Sequence, residues 1–246
     1  MHYRIIYDEQ RLQSFIDWLP ELLPNEQYYI ALLARKKYNL ESSLTTDKNQ
    51  MKRVTATKDR IIQKIRQMEC QVGSYTTHTK DNDPILQDNL CIYITPNPRD
   101  LVKASLVLMK DIADRLISKD TNYNPQSMAL NAIQITTSRK IYFDIDLDFS
   151  RGQDFRDYDI NSFKNDLSAL INIDCATLIR TNGGLHCLIE LESIAKEYQK
   201  NWHRNISQMN CAFYTVTMNS DNIIPIPGCV QGKDFSPYFL DSPLQF

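Results

Sequence analysis

The sequence predicts an α/β (α+β) fold, and three observations carry that expectation. Short aromatic or β-branched runs recur along the chain, amphipathic runs of helical period fall between them, and Pro, Gly, Asn or Asp punctuates many of the transitions. The 246 residues are 42% hydrophobic and 10% aromatic, enough for a sizeable core and against a disordered chain. A net charge of −2 argues against a uniformly basic nucleic-acid binder and leaves local patches open. The six cysteines include no C-x-x-C pair and no Cys/His grouping at zinc-finger spacing, so structural zinc is not expected. The opening MHYRIIYDEQ has no apolar signal core, and no stretch approaches the ~18 apolar residues of a membrane span. The expectation is a cytoplasmic protein with reduced thiols and no membrane partner.

Taken in order, residues 3–7 read as a short strand. Asp8 suits the cap of a helix carrying Leu12, Phe15, Ile16 and Leu19 up to Pro20, and residues 28–34 read as a buried strand. From Arg35 basic residues outnumber acids, and Ile61, Ile62, Ile65 and Met68 predict a helix over 57–69 with Lys58, Arg60 and Lys64 on its outer face. Such a face is either solvated surface or a contact to phosphates. Residues 71–87 read as a long loop, and 90–95 as a strand running into Asn97-Pro98. That pair predicts an N-cap and first turn for a helix through Leu101, Ala104, Leu108, Ile112 and Leu116. Asn124-Pro125 repeats the device before a helix over 128–133.

Residues 141–149, IYFDIDLDF, alternate strictly. Phe143, Ile145, Leu147 and Phe149 share one face, Asp144, Asp146 and Asp148 the other. Same-face carboxylates roughly 6.6 Å apart repel by roughly 2 to 3 kcal/mol at an effective dielectric near 20. Aspartate is also a poor strand former, so the row predicts either a wet strand face or a divalent-cation site. Beyond it come a loop over 150–158 and a helix with Ile160, Phe163, Leu167, Leu170 and Ile171 on one face. Two strands follow, over 176–179 and 185–191, joined by Thr181-Asn182-Gly183-Gly184; the adjacent glycines allow positive φ and a close backbone approach near His186. Residues 193–209 read as helical, 213–218 and 223–226 as short strands, and the tail from 236 shows little periodicity. Asp221 precedes the stretch IIPIPGCVQG, whose Pro227-Gly228 forces a turn.

Asp144-x-Asp146, then Gly184-Leu185-His186, then Asp221 ahead of a short strand together resemble the three motifs of the archaeo-eukaryotic primase superfamily, in particular its primase-polymerase type. The resemblance covers roughly the C-terminal half. It implies one catalytic domain in two lobes, a basic α/β part over about 1–88 and a part over 89–246 with an RRM-like antiparallel sheet carrying the motifs. The implied activity is template-directed nucleotidyl transfer to a 3′-hydroxyl, in DNA replication or repair of a bacterial or mobile-element system. Mg²⁺ or Mn²⁺ would be held by Asp144, Asp146 and Asp221, with Asp174, Glu190 and Asp234 as rivals for the third place, and Asp148 supporting them or facing solvent. His186, beside Gly183 and Gly184, would meet the phosphates of a dNTP or NTP, with Arg180 or Lys233 adding positive charge. Single-stranded DNA template and primer, and a helicase or other replication protein, are the implied partners. Two other readings stand beside this one: a D-x-D glycosyltransferase using Mn²⁺, and a non-catalytic nucleic-acid-binding accessory domain.

Overall fold

The computed structural model describes residues 1–47, 49–77, 82–149, 157–209 and 214–240, residues 157–159 by their backbone alone. In chain order the regular elements are α1 (Glu9–Trp18), β1 (Glu26–Ala34), β2 (Asn49–Ala56), α2 (Ile61–Arg66), β3 (Leu90–Ile94), β4 (Arg99–Asp100), α3 (Leu101–Ile117) and α4 (Pro125–Ile135). They continue with β5 (Tyr142–Phe149), α5 (Asp157–Ser168), β6 (Ala176–Arg180), β7 (Gly184–Glu190), α6 (Trp202–Ser207), β8 (Tyr214–Ser220), β9 (Ile224–Pro225) and β10 (Tyr238–Phe239). The class is mixed α and β, with two antiparallel sheets.

In the first sheet the order is β2-β1-β3-β9, with β4 pairing the start of β1. Strand β1 is buried on both faces, which is why it reads as a continuous apolar run. Tyr28, Ile30, Leu32 and Ala34 pack with α1 and α2, while Tyr29, Ala31 and Leu33 join Cys91, Tyr93 and α4 on the opposite side. Helix α1 starts where expected, because the Asp8 carboxylate accepts the Arg11 N–H at 3.0 Å. Asn124 caps α4 in the same way, with Pro125 in its first turn.

Sheet two has the order β10-β6-β7-β5-β8, antiparallel throughout. Its sequence β5-α5-β6-β7-α6-β8 is a β-α-β-β-α-β unit in which β7 lies between β5 and β6, the split form of a βαβ crossover. Phe143, Ile145, Leu147 and Phe149 face α5 and α6, packed on Phe163, Leu167 and Ile206. Tyr142, Ile179 and Leu188 enter the core of the first sheet, so the acidic face of β5 is turned towards that sheet.

Several expectations change. Residues 3–7 make a single isolated bridge, Ile6 to Cys229, in place of a strand. Strand β2 had no sequence prediction; it is an edge strand, and its half-exposed alternation sits inside the basic window. The helix over 57–69 shrinks to α2, preceded by a 3₁₀ turn at Lys58–Arg60. Asn97 does not cap α3. It is buried, its carbonyl oxygen accepting the N–H groups of Ile141 and Tyr142, and Asp100 caps the helix instead by accepting from Val102 and Lys103. Of the apolar stripe expected on α3 only Ala104 is buried, and Leu116 is exposed with Val102, Leu106 and Met109. Residues 193–209 hold only the short α6. The loop expected over 150–158 falls largely outside the described residues, as does Cys211. The sheets also do not divide at residue 88, because β3 and β9 complete the first sheet.

Candidate functional site

Strand pairing sets the geometry. In the β5–β7 register Asp146 stands opposite His186, Asp144 opposite Leu188 and Asp148 opposite Gly184. On its other edge β5 pairs β8, and the register shifts between Asp144 and Ile145, so Asp144 lies beside Ser220 and Ile145 beside Met218. The three aspartates form a gradient of exposure along one strand. Asp144 is 1% exposed, the Asp146 side chain 36%, and Asp148 lies at the surface.

Nδ1 of His186 lies 2.8 Å from Oδ1 of Asp144, and its Nε2 lies 3.8 Å from Asp146. Burial of the ring works against its charge, but the nearby carboxylates, Asp144 foremost and then Asp146 and Asp148, raise its pKa to about 9. Burial also raises the pKa of Asp146, reinforced by Asp148 and Asp144 and opposed by His186. The other Asp144 oxygen, Oδ2, is buried without a hydrogen-bond partner. An orphaned carboxylate oxygen inside a protein is costly and is a natural place for a cation.

A cavity of about 680 Å³ opens over Asp146 and Asp148, while Asp144 is buried and does not line it. Asp146, Asp148, His186, Thr181 and Gly183 line one wall, and Arg35 and Lys37, just after β1, line the other with Asn49 and Gln50 of β2 and Tyr93 of β3. The Arg35 guanidinium is held by Asp47 through Nε and Nη2 at 3.2 and 2.7 Å, and its Nη1 donates to the Tyr93 hydroxyl at 3.0 Å. Acid therefore faces base across the gap. A second, larger groove of about 880 Å³ lies away from these acids, between α1, residues 20–27 and the start of α2.

Asp221 does not join the row. Arg99, only 2% exposed, grips both of its oxygens at 2.8 and 3.1 Å. Asn97 donates at 2.9 Å and the Thr137 hydroxyl donates as well. All four groups come from the junction between the sheets, so the carboxylate clamps the base of β5 rather than facing the cavity. Among the described residues no group of three or more His, Cys, Asp or Glu side chains is arranged to hold a metal ion. Of its rivals, Asp174 precedes β6 and Glu190 ends β7, where its carboxylate accepts the Ser193 hydroxyl. Asp234 has positive φ in the turn after Gly232. None of the three lines the cavity.

Gly183 lines the cavity, but neither it nor Gly184 has positive φ. Gly184 is needed for a different reason: a Cβ there would stand 1.9 Å from the Leu147 carbonyl oxygen, whereas one at Gly183 would meet nothing within 4 Å. Arg180 and Lys233 are not among the lining residues. Lys58 is engaged internally, its ammonium donating to the Asp17 and Leu19 carbonyls at the end of α1 and to Glu21. Arg60 and Lys64 line a separate depression with Thr57 and Asp59. Sequence reading missed Lys37 and Gln231 as cavity residues; Gln231 lay within the stretch after Asp221 that drew attention for its Pro-Gly turn.

No protein-family model matches this chain, and neither a curated protein nor a solved structure matches it. No helix among the described residues is long and apolar enough to cross a membrane.

Proposed function

We propose that this chain is a template-directed nucleotidyltransferase of the primase-polymerase type, extending a 3′-hydroxyl with dNTPs or NTPs in DNA replication or repair, in the cytoplasm. The observation that carries the reading is the pairing of Asp146 with His186 on adjacent strands of a β-α-β-β-α-β sheet, over a cavity whose far wall is cationic. The two motifs that resemblance joined across 40 residues of chain are neighbours in space.

Asp144, through its orphaned Oδ2, and Asp146, at the cavity edge, fit Mg²⁺ or Mn²⁺; Mg²⁺ commonly takes one or two protein carboxylates and completes its shell with substrate phosphates and water. When bound, such an ion stabilises charge on the attacking and leaving oxygens. His186 offers a cationic N–H donor towards phosphate, held in orientation by Asp144. Arg60 and Lys64 are the basic residues we assign to the DNA backbone, and a helicase or other replication protein remains part of the proposal as a partner. The test is incorporation of labelled dNTPs and NTPs on single-stranded DNA, with and without primer, in Mg²⁺ or Mn²⁺. Extension by the wild type that vanishes in Asp146→Asn supports the reading; no extension under any condition overturns it.

One observation favours a second reading. With Asp221 held by Arg99, the acid that would complete a three-carboxylate centre is engaged elsewhere. A domain that binds nucleotide and DNA without turnover matches that, and it predicts binding of both ligands with no incorporation.

A further inference from the structure

Helix α3 packs against α4, and Ala104 is its one buried side chain. Its outer face is apolar and open. Val102, Leu106, Met109 and Leu116 are 54–67% exposed, and Ala113 among them is exposed as well. Their spacing alternates between 4 and 3 residues, the a and d pattern of a helix-pairing seam, and the row is about 21 Å long at 1.5 Å rise per residue. With Ile117, this one helix holds five of the 12 large apolar side chains exposed among the described residues. Scattered apolar side chains are ordinary surface, whereas a contiguous row marks a place where another molecule docks.

Charge decides what covers the seam. At 100° per residue, Lys103 and Lys110 border it on one side and Ser105 and Ile112 on the other, while Asp114 lies behind the lysines and Asp111 faces away. The Lys103 side chain is 59% exposed and its nearest carboxylate, Asp100, is 3.6 Å off. A second copy of the chain leaves these lysines unanswered: antiparallel pairing sets the two lysine borders against each other, and parallel pairing sets them against Ser105 and Ile112. A lipid surface fits less well, because interfacial helices present a broad apolar face with Trp or Phe, and α3 has a narrow seam and no aromatic residue. We propose that α3 docks an amphipathic helix of another protein, four turns long or more, whose apolar stripe is bordered by Asp or Glu. No α3 side chain lines the cavity over Asp146 and Asp148, so this face stands apart from whatever reaction occurs there.

Three synthetic three-heptad peptides, titrated against the full chain by fluorescence anisotropy, test this: Leu at every a and d position with Glu borders, the same core with Lys borders, and Glu borders around Ser at a and d. The Glu-bordered leucine peptide should bind at least about tenfold tighter than the other two. Leu106→Glu with Met109→Glu should abolish that binding at an unchanged melting temperature, since both side chains are exposed. Lys103→Glu with Lys110→Glu should reverse the preference towards the Lys-bordered peptide. Failure of the Glu-bordered peptide to bind, or failure of the charge swap to reverse the preference, overturns the proposal. A wild-type chain that sediments as a dimer, and as a monomer once Leu106 and Met109 are replaced, overturns it in favour of a second copy. Binding to phosphatidylserine–phosphatidylcholine vesicles that the same variant loses overturns it in favour of a lipid surface.

Discussion

Replacing Asp221 by Asn leaves the buried Arg99 guanidinium with one charge fewer to answer it. Breaking one partner of such a pair costs about 3–5 kcal/mol, so Asp221→Asn should unfold at clearly lower denaturant while keeping cation-dependent nucleotide binding at permissive temperature. A metal ligand would behave in the opposite way. Asp146→Asn removes one of several crowded carboxylates, so it should keep or raise stability and abolish incorporation, read by parallel unfolding and extension assays. Elsewhere, Glu26 is buried and receives Arg139 through both oxygens at 2.9 and 2.8 Å. That pairing, against burial, brings its pKa down to about 2 from 4.5. A depressed carboxylate stabilises the fold fully above its unfolded value and ceases to do so as pH falls through the folded one. Acid unfolding between pH 4.5 and 2 should therefore flatten in Glu26→Gln, by at most about 3 kcal/mol.

At the scale of elements, the β5–β7 contact depends on the missing side chain of Gly184. Gly184→Ala should separate the two strands locally and lower the melting temperature, whereas Gly183→Ala, with open space around it, should stay within about 0.5 kcal/mol of wild type. Thermal unfolding of the pair distinguishes them. Strand β5 was legible because its alternation is strict, and α1 and α4 because their caps are local: Asp8 acts three residues away and so does Asn124. Strand β2 was not, since a half-exposed edge strand among lysines and arginines carries little contrast between its faces. The Asn97-Pro98 pair mimicked a cap, but Asn97 answers to Tyr142, 45 residues on, and only the tertiary fold reveals that. Asp221 illustrates the same limit: its partners Asn97, Arg99 and Thr137 lie 84 to 124 residues away, so motif order alone could not tell a clamp from a ligand. Lys37 and Gln231 belong to no local pattern and meet only across the cavity.

Over the whole molecule, the two sheets share one inter-sheet core through Tyr142, Ile179 and Leu188, and Trp18 stacks on Tyr142 with ring centroids 4.6 Å apart. If DNA runs along α2, replacing Arg60 and Lys64 with alanine should reduce the salt slope of binding by about 0.7–0.9 for each phosphate left unneutralised, measured by anisotropy at several ionic strengths. Lys58→Ala should act on stability instead, because that ammonium holds the end of α1. The path of the chain adds a constraint of its own. Residues 224–225 close the edge of one sheet at β3, and residues 238–239 close the edge of the other at β6. On the ribosome, then, each of these edges stays bare until its own short segment has emerged, β3 first and β6 later. A nascent chain halted before residue 224 would expose both of these edges to chaperones and to aggregation, and one halted between residues 225 and 238 only the edge at β6.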